Sequence, residues 1–460
     1  MSDLVVDDPF TFGVAVSVPL ANGAMVDRTL DRAKEGARAI AAMAVEERVA
    51  LCLRVVEAME RDVDAIALEI TAQMGKPLRQ AKNEMAGMAK RARYMCAIAP
   101  SALADIVIPK EEGFERRIVR TPLGVVFDLP AWNYPLLTTV NVLIPAILAG
   151  NSVIVKHSPR SPATGDRFAR AFEQAGAPKF AVQSLHCDHP TSERIAGDAR
   201  VDHVAFTGSV YGGYRIAQAA AGRFIDVGLE LGGNDAAYVA PDADLKQAIA
   251  GIVDGACYNA GQSCCAVERV YVHRSLHAAF VDGALAEMKA YVMGDPRDDG
   301  TTLGPIAQPN HPQELEAQVV DAVSRGARVL LGGKPTSVGA KGRFFPPTLL
   351  VDVAEDSDVM SRESFGPLVP IVAVDGDDDA LSRMNDDALG LTASVWTTDR
   401  ERAAKLAGKL EVGTVYMNRC DALDPSLPWT GVKDSGRGST LSALGFEHLT
   451  RPKAWNFKLP

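Results

Sequence analysis

Two residues of this sequence could together perform nucleophilic chemistry on a carbonyl carbon. Cys264 lies in the segment Asn259–Ala266, and Glu230 precedes it by 34 positions within Leu229–Gly233. A thiolate adds readily to an aldehyde, and the adduct can lose hydride to a nicotinamide, leaving a thioester that water must hydrolyse. Hydrolysis needs a base, and burial beside apolar neighbours would raise the pKa of Glu230 towards neutrality. Most intracellular cysteines are small buried hydrophobic residues, so Cys264 alone does not decide between catalytic and structural roles.

Further short segments accompany these two residues in a fixed order. They are Ala131–Pro135, Val155–Lys156, Phe206–Ser209, Glu363–Pro367 and Gly431–Gly436. With them, the chain resembles the aldehyde dehydrogenase superfamily from about residue 30 to the C-terminus. The resemblance implies an α/β fold with a Rossmann-type cofactor domain, an α/β catalytic domain and a small β oligomerisation element. It also implies the hydrolytic, non-acylating type, which oxidises an aldehyde to the carboxylic acid with NAD or NADP.

The resemblance assigns catalytic roles to three residues. Cys264 rather than Cys265 is the expected nucleophile, because the family motif counts from Gly261. Glu230 is the expected base for thioester hydrolysis. The Asn133 side-chain amide is expected to join the Cys264 backbone N–H in holding the developing oxyanion. Taken locally, Asn133 could instead be a turn residue before a proline.

The cofactor motif is unconventional, because no Gly-x-Gly-x-x-Gly occurs in the chain. The segment Phe206–Gly213 does place glycines and a hydroxyl before a helix expected to begin near Tyr214, where backbone N–H groups can receive a pyrophosphate. Taken alone, the segment is more typical of an ordinary Gly-rich strand-to-helix turn. By resemblance, the expected cofactor-binding residues are Trp132, Lys156, Ser158, Gly208, Ser209, Gly213, Leu231, Glu363 and Phe365.

One position bears on the choice between NAD and NADP. Family members strict for NAD commonly carry a glutamate three residues after the lysine equivalent to Lys156, where it repels a 2′-phosphate. Here Pro159 occupies that position, with His157, Ser158 and Arg160 nearby. The segment therefore predicts that NADP is at least tolerated.

The substrate is expected to be a medium-sized aldehyde with an aromatic or hydroxyl group. Tyr258 stands where succinate semialdehyde members have a carboxylate-clamping arginine, which argues against a short dicarboxylic semialdehyde. Arg419 leaves an anionic substrate open. By resemblance, the pocket-lining residues are Tyr134, Thr138, Asn141, Tyr258, Ser263, Cys265 and Trp429.

Hydrophobic periodicity predicts the elements that position these residues. Apolar residues at helical spacing run from about Arg28 to Met74, where Gly75–Pro77 ends the run, and a second helical run extends to about Met95. Alternation over Asp105–Arg120 predicts an exposed hairpin. Apolar runs then alternate with helices, which favours a doubly wound parallel sheet. These runs are Gly124–Phe127, Ser152–Val155, His203–Phe206, Ala236–Val239, Arg269–Val272 and Val329–Leu331.

We expect three parts. Residues 1–104 and 121–234 would form the NAD(P)-binding domain, and 235–443 the catalytic domain. Residues 105–120 and 444–460 would form the oligomerisation element, with the hairpin and the strand around Lys453–Lys458 pairing across subunits in a homodimer or homotetramer.

Composition excludes several classes of function. The 460 residues are 47% hydrophobic and carry a net charge of -10, which argues against nucleic acid as a partner. No signal-peptide pattern or long apolar stretch is present, so a cytoplasmic protein that binds no membrane is expected. The resemblance implies a small-molecule aldehyde as its partner. Seven dispersed cysteines predict reduced thiols, and the Cys264-Cys265 pair lacks metal-ligand spacing.

Three alternatives stay open from the sequence. A CoA-acylating family member would release the acyl group to CoA, but such enzymes commonly lack the base at the Glu230 position. A catalytically silent structural or binding member has no need for Cys264, Glu230 and Asn133 together. A thiol hydrolase would need a histidine paired with Cys264 in space, since none is near it in sequence.

Overall fold

The computed structural model describes residues 3–460. The α-helices are α1 Gly23–Ala41, α2 Val45–Arg61, α3 Val63–Met74, α4 Leu78–Ala102, α5 Pro135–Leu148, α6 Ala163–Gln174, α7 His189–Ala196, α8 Val210–Ala220, α9 Leu245–Cys257, α10 His277–Met288, α11 His311–Ser324, α12 Asp358–Ser361, α13 Asp377–Asn385 and α14 Arg400–Ala407. The strands are β1 Asp3–Asp7, β2 Val14–Pro19, β3 Ile106–Val107, β4 Phe114–Pro122, β5 Val125–Leu129, β6 Ser152–Val155, β7 Val182–Ser184, β8 His203–Thr207, β9 Val227–Glu230, β10 Asp235–Val239, β11 Val267–His273, β12 Arg328–Leu331, β13 Thr336–Val338, β14 Lys341–Phe344, β15 Thr348–Val351, β16 Leu368–Val374, β17 Leu389–Gly390, β18 Thr392–Trp396, β19 Thr414–Met417, β20 Val432–Lys433, β21 Gly436–Arg437 and β22 Thr450–Lys458.

The first sheet confirms the predicted doubly wound α/β architecture. Its order is β21-β9-β8-β5-β6-β7, and β5 to β9 run parallel. Apolar side chains of β5 and β6 enter two separate cores, so helices cover both faces of the sheet. Because parallel strands end at one edge, the ends of β5, β8 and β9 bring Leu129, Thr207 and Glu230 to the same side.

The second sheet has the order β12-β15-β16-β11-β10-β18-β19. All its pairings are parallel except that of β12 with β15, and two further cores cover its faces. Its strands lie between Asp235, where β10 begins, and Met417, where β19 ends. The assignment of residues 235–443 to a single catalytic domain stays a prediction.

The third sheet corrects one expectation about strand pairing. The predicted hairpin is confirmed, since β3 pairs antiparallel with β4. However, β22 pairs with β4 of its own chain along all nine residues, Thr450 opposite Pro122 to Lys458 opposite Phe114. Pairing of these two segments across subunits is therefore wrong. The backbone N–H and C=O groups that were expected to pair between subunits form their hydrogen bonds within one chain, in an antiparallel register.

The predicted helix from Arg28 to Met74 is three helices, α1 to α3, separated at Ala42–Ala44 and at Asp62. Each of the three helices has its own apolar stripe and packs against its own set of neighbours. Because helical periodicity is present in all three, it does not by itself show where one helix ends and the next begins. The predicted stop is confirmed, because Gly75 caps α3 with a φ of 82°. The next helix runs past Met95 to Ala102. Nowhere in residues 3–460 is a helix sufficiently long and apolar to cross a membrane.

Candidate active site

Two large cavities meet at the carboxyl edge of the first sheet. One has a volume of about 1030 Å³ and the other about 840 Å³. Five residues line both cavities: Asn133, Thr207, Glu230, Leu231 and Cys264. All three sequence-predicted catalytic residues therefore lie where the two cavities join.

Cys264 is presented by a tight turn after α9. Asn259 and Ala260 adopt left-handed φ values of 54° and 56°, and Gly261 follows at 71°. A Cβ on Gly261 would lie 2.3 Å from the Gly366 carbonyl, so only glycine fits there. The Gln262 side chain fastens the turn by donating to Asn259 O at 3.0 Å and accepting from Ala307 N at 2.9 Å. The half-buried Cys264 thus follows a rigid segment.

Asn133 is held against this turn. Its side chain is 3% exposed, and Nδ2 donates to Gln262 O at 3.3 Å. In return, Asn259 Nδ2 donates to Asn133 O at 3.2 Å. The second hydrogen of the Asn133 amide remains available to a negatively charged oxygen formed beside Cys264.

A buried ion pair that the sequence did not reveal supports Asn133 from behind. Lys76 Nζ bonds Glu84 Oε2 and donates to Asn133 O at 2.7 Å, and it stands 3.8 Å from the centre of the Tyr134 ring. Glu84 Oε1 accepts from Leu136 N, in the first turn of α5, at 2.7 Å. Both charged side chains are almost completely buried. The sequence marked Lys76 only as part of a helix stop.

Glu230 ends β9 with both carboxylate oxygens engaged. Thr207 Oγ1 donates to Oε2 at 3.2 Å, and Thr440 Oγ1 donates to Oε1. Burial raises the pKa of Glu230, and the two hydroxyls and then Arg91 partly oppose that rise. The expected upward shift of this pKa is confirmed in direction. A carboxylate with a raised pKa that lines the same cavities as the Cys264 thiol suits general-base chemistry.

The cavity of about 1030 Å³ contains all but one of the sequence-predicted cofactor residues. Those lining it are Trp132, Lys156, Ser158, Gly208, Ser209, Leu231, Glu363 and Phe365. Gly213 does not line it. A Cβ on Gly213 would lie 2.7 Å from the Leu231 side chain, so this glycine allows close packing instead.

The helix at this cavity starts earlier than expected. It begins at Val210 and not near Tyr214, because the Ser209 hydroxyl caps it by accepting from Gly212 N at 3.2 Å. Free N–H groups of the first turn of α8 are therefore available to an anion such as a pyrophosphate.

The opposite end of the cavity is aromatic and acidic. The Trp132 and Phe365 rings meet edge to face with centroids 5.5 Å apart. Glu363 Oε1 accepts from Gly233 N at 3.1 Å, and burial raises the pKa of Glu363 to about 7. An elongated cavity with a helix N-terminus, two aromatic rings and a carboxylate fits a dinucleotide.

The segment around Pro159 corrects part of the sequence argument. The His157 ring is buried and does not line the cavity; its Nε2 donates to Pro135 O at 3.3 Å, and its Nδ1 accepts from Ser161 Oγ at 3.0 Å. Arg160 lines it but pairs with Asp7. Burial lowers the pKa of His157 to about 3, so this ring is neutral. Neither His157 nor Arg160 therefore offers a free positive charge to attract a 2′-phosphate. Pro159, for its part, has no negative charge that would repel one.

The cavity of about 840 Å³ contains every residue predicted from the sequence to line the substrate pocket. These are Tyr134, Thr138, Asn141, Tyr258, Ser263, Cys265 and Trp429. Arg419 also lines it, from an exposed position. The cavity is thus bounded by aromatic rings, amides, hydroxyls and thiols.

The family model for the aldehyde dehydrogenase family matches residues 2–455. The chain belongs to this family. Succinate-semialdehyde dehydrogenase (NADP(+)) of Deinococcus radiodurans is 34% identical over 447 residues, which cover 97% of this chain and 93% of that protein. Betaine aldehyde dehydrogenase of Agrobacterium fabrum is 32% identical, covering 97% and 90%.

Solved structures agree with this assignment. That of Gox0499, studied for cofactor and substrate selection, is 33% identical with a TM-score of 0.95 over 99% of both chains. Lactaldehyde dehydrogenase from Escherichia coli is 30% identical with a TM-score of 0.95, covering 100% of this chain and 96% of that one. This aldehyde dehydrogenase is an oxidoreductase that acts on aldehydes with NAD or NADP.

Several polar residues of this aldehyde dehydrogenase site were not predicted from the sequence. Gln80, Glu84 and Arg91 line the cavity of about 840 Å³ from one face of α4, at spacings of about one and two helical turns. Asp421 accepts from Cys265 Sγ at 2.9 Å, and burial raises its pKa to about 6. The helical spacing was a signal for the first three, but nothing in the sequence indicated which face of α4 meets the cavity.

Proposed function

We propose that this aldehyde dehydrogenase oxidises its substrate to the carboxylic acid by the hydrolytic route, with Cys264 as nucleophile and Glu230 as base. The observation that carries the proposal is the position of Cys264, Glu230 and Asn133 at the junction of the two cavities. There, an aldehyde from one side and a dinucleotide from the other reach the same sulfur atom.

Each residue has a defined task in this scheme. The Cys264 thiolate forms a bond to the aldehyde carbon, and the Asn133 amide with the Cys264 N–H stabilises the resulting oxyanion. Glu363 and Phe365 would hold a nicotinamide, which would accept the two electrons and the hydrogen lost from that carbon. Glu230 then removes a proton from water as the water attacks the Cys264 thioester, and the C–S bond breaks to release the carboxylic acid and the thiol.

The cofactor residues belong to the same proposal. Helix α8, through Gly208 and Ser209, would receive the pyrophosphate, and Lys156 the adenosine ribose. Trp132, Ser158, Leu231, Glu363 and Phe365 would complete the site. We propose that both NAD and NADP are accepted, since Pro159 places no carboxylate at the ribose.

For the substrate, a medium-sized aromatic or hydroxylated aldehyde remains our first proposal. Its support is a cavity of about 840 Å³ that Tyr134, Tyr258 and Trp429 line together with the hydroxyl of Ser263. A carboxylated aldehyde is the second candidate, because the same cavity contains the buried guanidinium of Arg91. Relatives named succinate-semialdehyde dehydrogenase agree with this second candidate.

The test is reduction of NAD and of NADP with aliphatic, aromatic, hydroxylated, carboxylated and cationic aldehydes, with and without CoA. We expect turnover with both nucleotides that CoA does not increase, and a free acid as product. An acyl-CoA product would replace the hydrolytic route with the acylating one. Nucleotide binding without turnover of any aldehyde would favour a catalytically silent family member.

A further inference from the structure

Arg91 places a buried positive charge beside the substrate cavity. It lies in α4, its side chain lines the cavity that also contains Cys264, and the residue is only 9% exposed. Removing a guanidinium from water is costly unless hydrogen bonds and an opposite charge compensate for it.

The protein supplies that compensation only in part, because Glu84 and Glu230 attract the Arg91 guanidinium from beyond salt-bridge distance. Arg91 Nη1 donates to Asn141 Oδ1 at 3.0 Å. Among residues 3–460, no carboxylate oxygen lies within 4 Å of its nitrogens. By contrast, the buried guanidinium groups of Arg160 and Arg269 each pair with an aspartate. The guanidinium of Arg91 thus retains donors that no protein carboxylate uses.

The other charges of the cavity are already engaged or exposed to water. Lys76 is neutralised by Glu84. Asp421 accepts from Cys265 and Ser263. Asp254 and Glu287 also line the cavity, but both are exposed, where water weakens their effect on a ligand.

We propose that Arg91, oriented by Asn141, binds the carboxylate of an aldehyde that carries the carboxylate at the end opposite its carbonyl. This inference rests on the proposed oxidation at Cys264. A planar guanidinium matches a carboxylate with two parallel N–H···O bonds, and a buried site strengthens that pairing. Helix α4 then provides, through Arg91, the positive charge that Tyr258 does not provide.

The experiment compares each carboxylated aldehyde with an uncharged partner. Succinate semialdehyde is paired with butanal, and 4-carboxybenzaldehyde with benzaldehyde, and kcat/KM is measured for all four. We expect the wild type to prefer at least one carboxylated partner by about tenfold or more. Arg91→Met should lower the ratio of kcat/KM for that substrate to kcat/KM for its uncharged partner by about tenfold or more, because any change at Glu230, whose pKa Arg91 lowers, acts on both substrates and cancels in the ratio.

Matched variants separate a binding role from a general effect of charge or folding. Arg93→Met removes an equal charge from the same helix, where Arg93 pairs with exposed Glu60, and should preserve the preference. Arg91→Lys should restore part of it, because the charge remains but the two-pronged geometry is lost. Should Arg91→Met not fold, competitive inhibition of wild-type butanal oxidation by succinate, and not by succinamide, tests the same site.

The following results would overturn the inference. Arg91→Met could lose the same factor in kcat/KM on charged and uncharged partners, or Arg419→Met, instead of Arg91→Met, could lose the carboxylate preference. A wild-type preference for the cationic betaine aldehyde, or equal inhibition by succinate and succinamide, would also overturn it. Absence of turnover with all aldehydes is a different outcome, since it would reject the proposed function itself. Oxidation of butanal and benzaldehyde without any carboxylate preference would reject only the role of Arg91.

Discussion

Glu230 shows at the scale of one residue how the site sets a protonation state. Burial favours its neutral form, whereas the Thr440 and Thr207 hydroxyls and Arg91 favour the carboxylate. The balance leaves its pKa above the ordinary value. Since only the carboxylate can accept a proton from water, hydrolysis should fall as the pH drops through this raised pKa.

Replacement of Glu230 by glutamine should separate the two halves of the reaction. Glu230→Gln should retain the first-turnover burst of reduced nucleotide but lose steady-state turnover by about 100-fold or more, because thioester hydrolysis lacks its base. Stopped-flow absorbance of the nicotinamide measures both phases. Unchanged steady-state turnover would reject Glu230 as the base.

The same residue gives a prediction about pH. Thr440→Val removes a hydrogen bond that lowers the pKa of Glu230, so the acidic limb of the kcat profile should move to higher pH. Thr440→Ser keeps the hydroxyl and serves as the control with an unmoved limb. A Thr440→Val profile that coincides with the wild type would contradict this account of Glu230.

At the scale of elements, the sequence correctly predicted those elements that depend on a local pattern of residues. The strands β5, β6, β8 and β10 are found within one or two residues of their apolar runs, because buried parallel strands need continuous apolar residues. The hairpin of β3 and β4 was predicted from a different local pattern, the alternation of residues over Asp105–Arg120. The breaks between α1, α2 and α3 were not, since they depend on packing against distant residues.

The site divides in the same way. Cys264, Glu230 and Asn133 follow from short ordered motifs. Lys76 and Arg91 do not, because their importance comes from contacts with residues 57 and 50 positions away in the sequence. Long-range contacts of this kind leave no fixed spacing to recognise.

The pair Lys76 and Glu84 joins α4 to α5, and its loss should affect both stability and catalysis. Lys76→Met leaves an uncompensated buried carboxylate and removes a donor to the Asn133 carbonyl, so we expect a loss of about 3–5 kcal/mol in the free energy of unfolding. It should also lower kcat more than it raises KM, because Asn133 acts on the oxyanion.

Chemical denaturation and steady-state kinetics test this prediction together. Lys82→Met is the matched control, since Lys82 lies on α4, the helix of Glu84, and pairs with exposed Asp64, and should change stability by no more than about 1 kcal/mol. If Lys76→Met were as stable as Lys82→Met, the buried pair would not be holding α4 against α5.

At the scale of the whole molecule, the three-stranded sheet of β22, β4 and β3 leaves β22 with a neighbour on one side only. Its surface carries exposed apolar side chains, with Val107 79% and Phe457 48% accessible. An open strand edge beside exposed apolar residues is typical of a surface that another chain covers. Assembly into a homodimer or homotetramer through this sheet therefore remains our prediction, although β22 pairs with β4 of its own chain.

Charged substitutions on this sheet should weaken that assembly. The double variant Val107→Glu with Phe457→Glu should have a lower mass by light scattering after size exclusion than the wild type, because each added carboxylate would be buried against its symmetry-related copy. Phe224→Glu is the control, since Phe224 is fully exposed in the turn after α8, away from this sheet, and should keep the wild-type mass. If the wild type is already monomeric, there is no such subunit contact. If the double variant keeps the mass of the wild type, the subunit contact lies elsewhere.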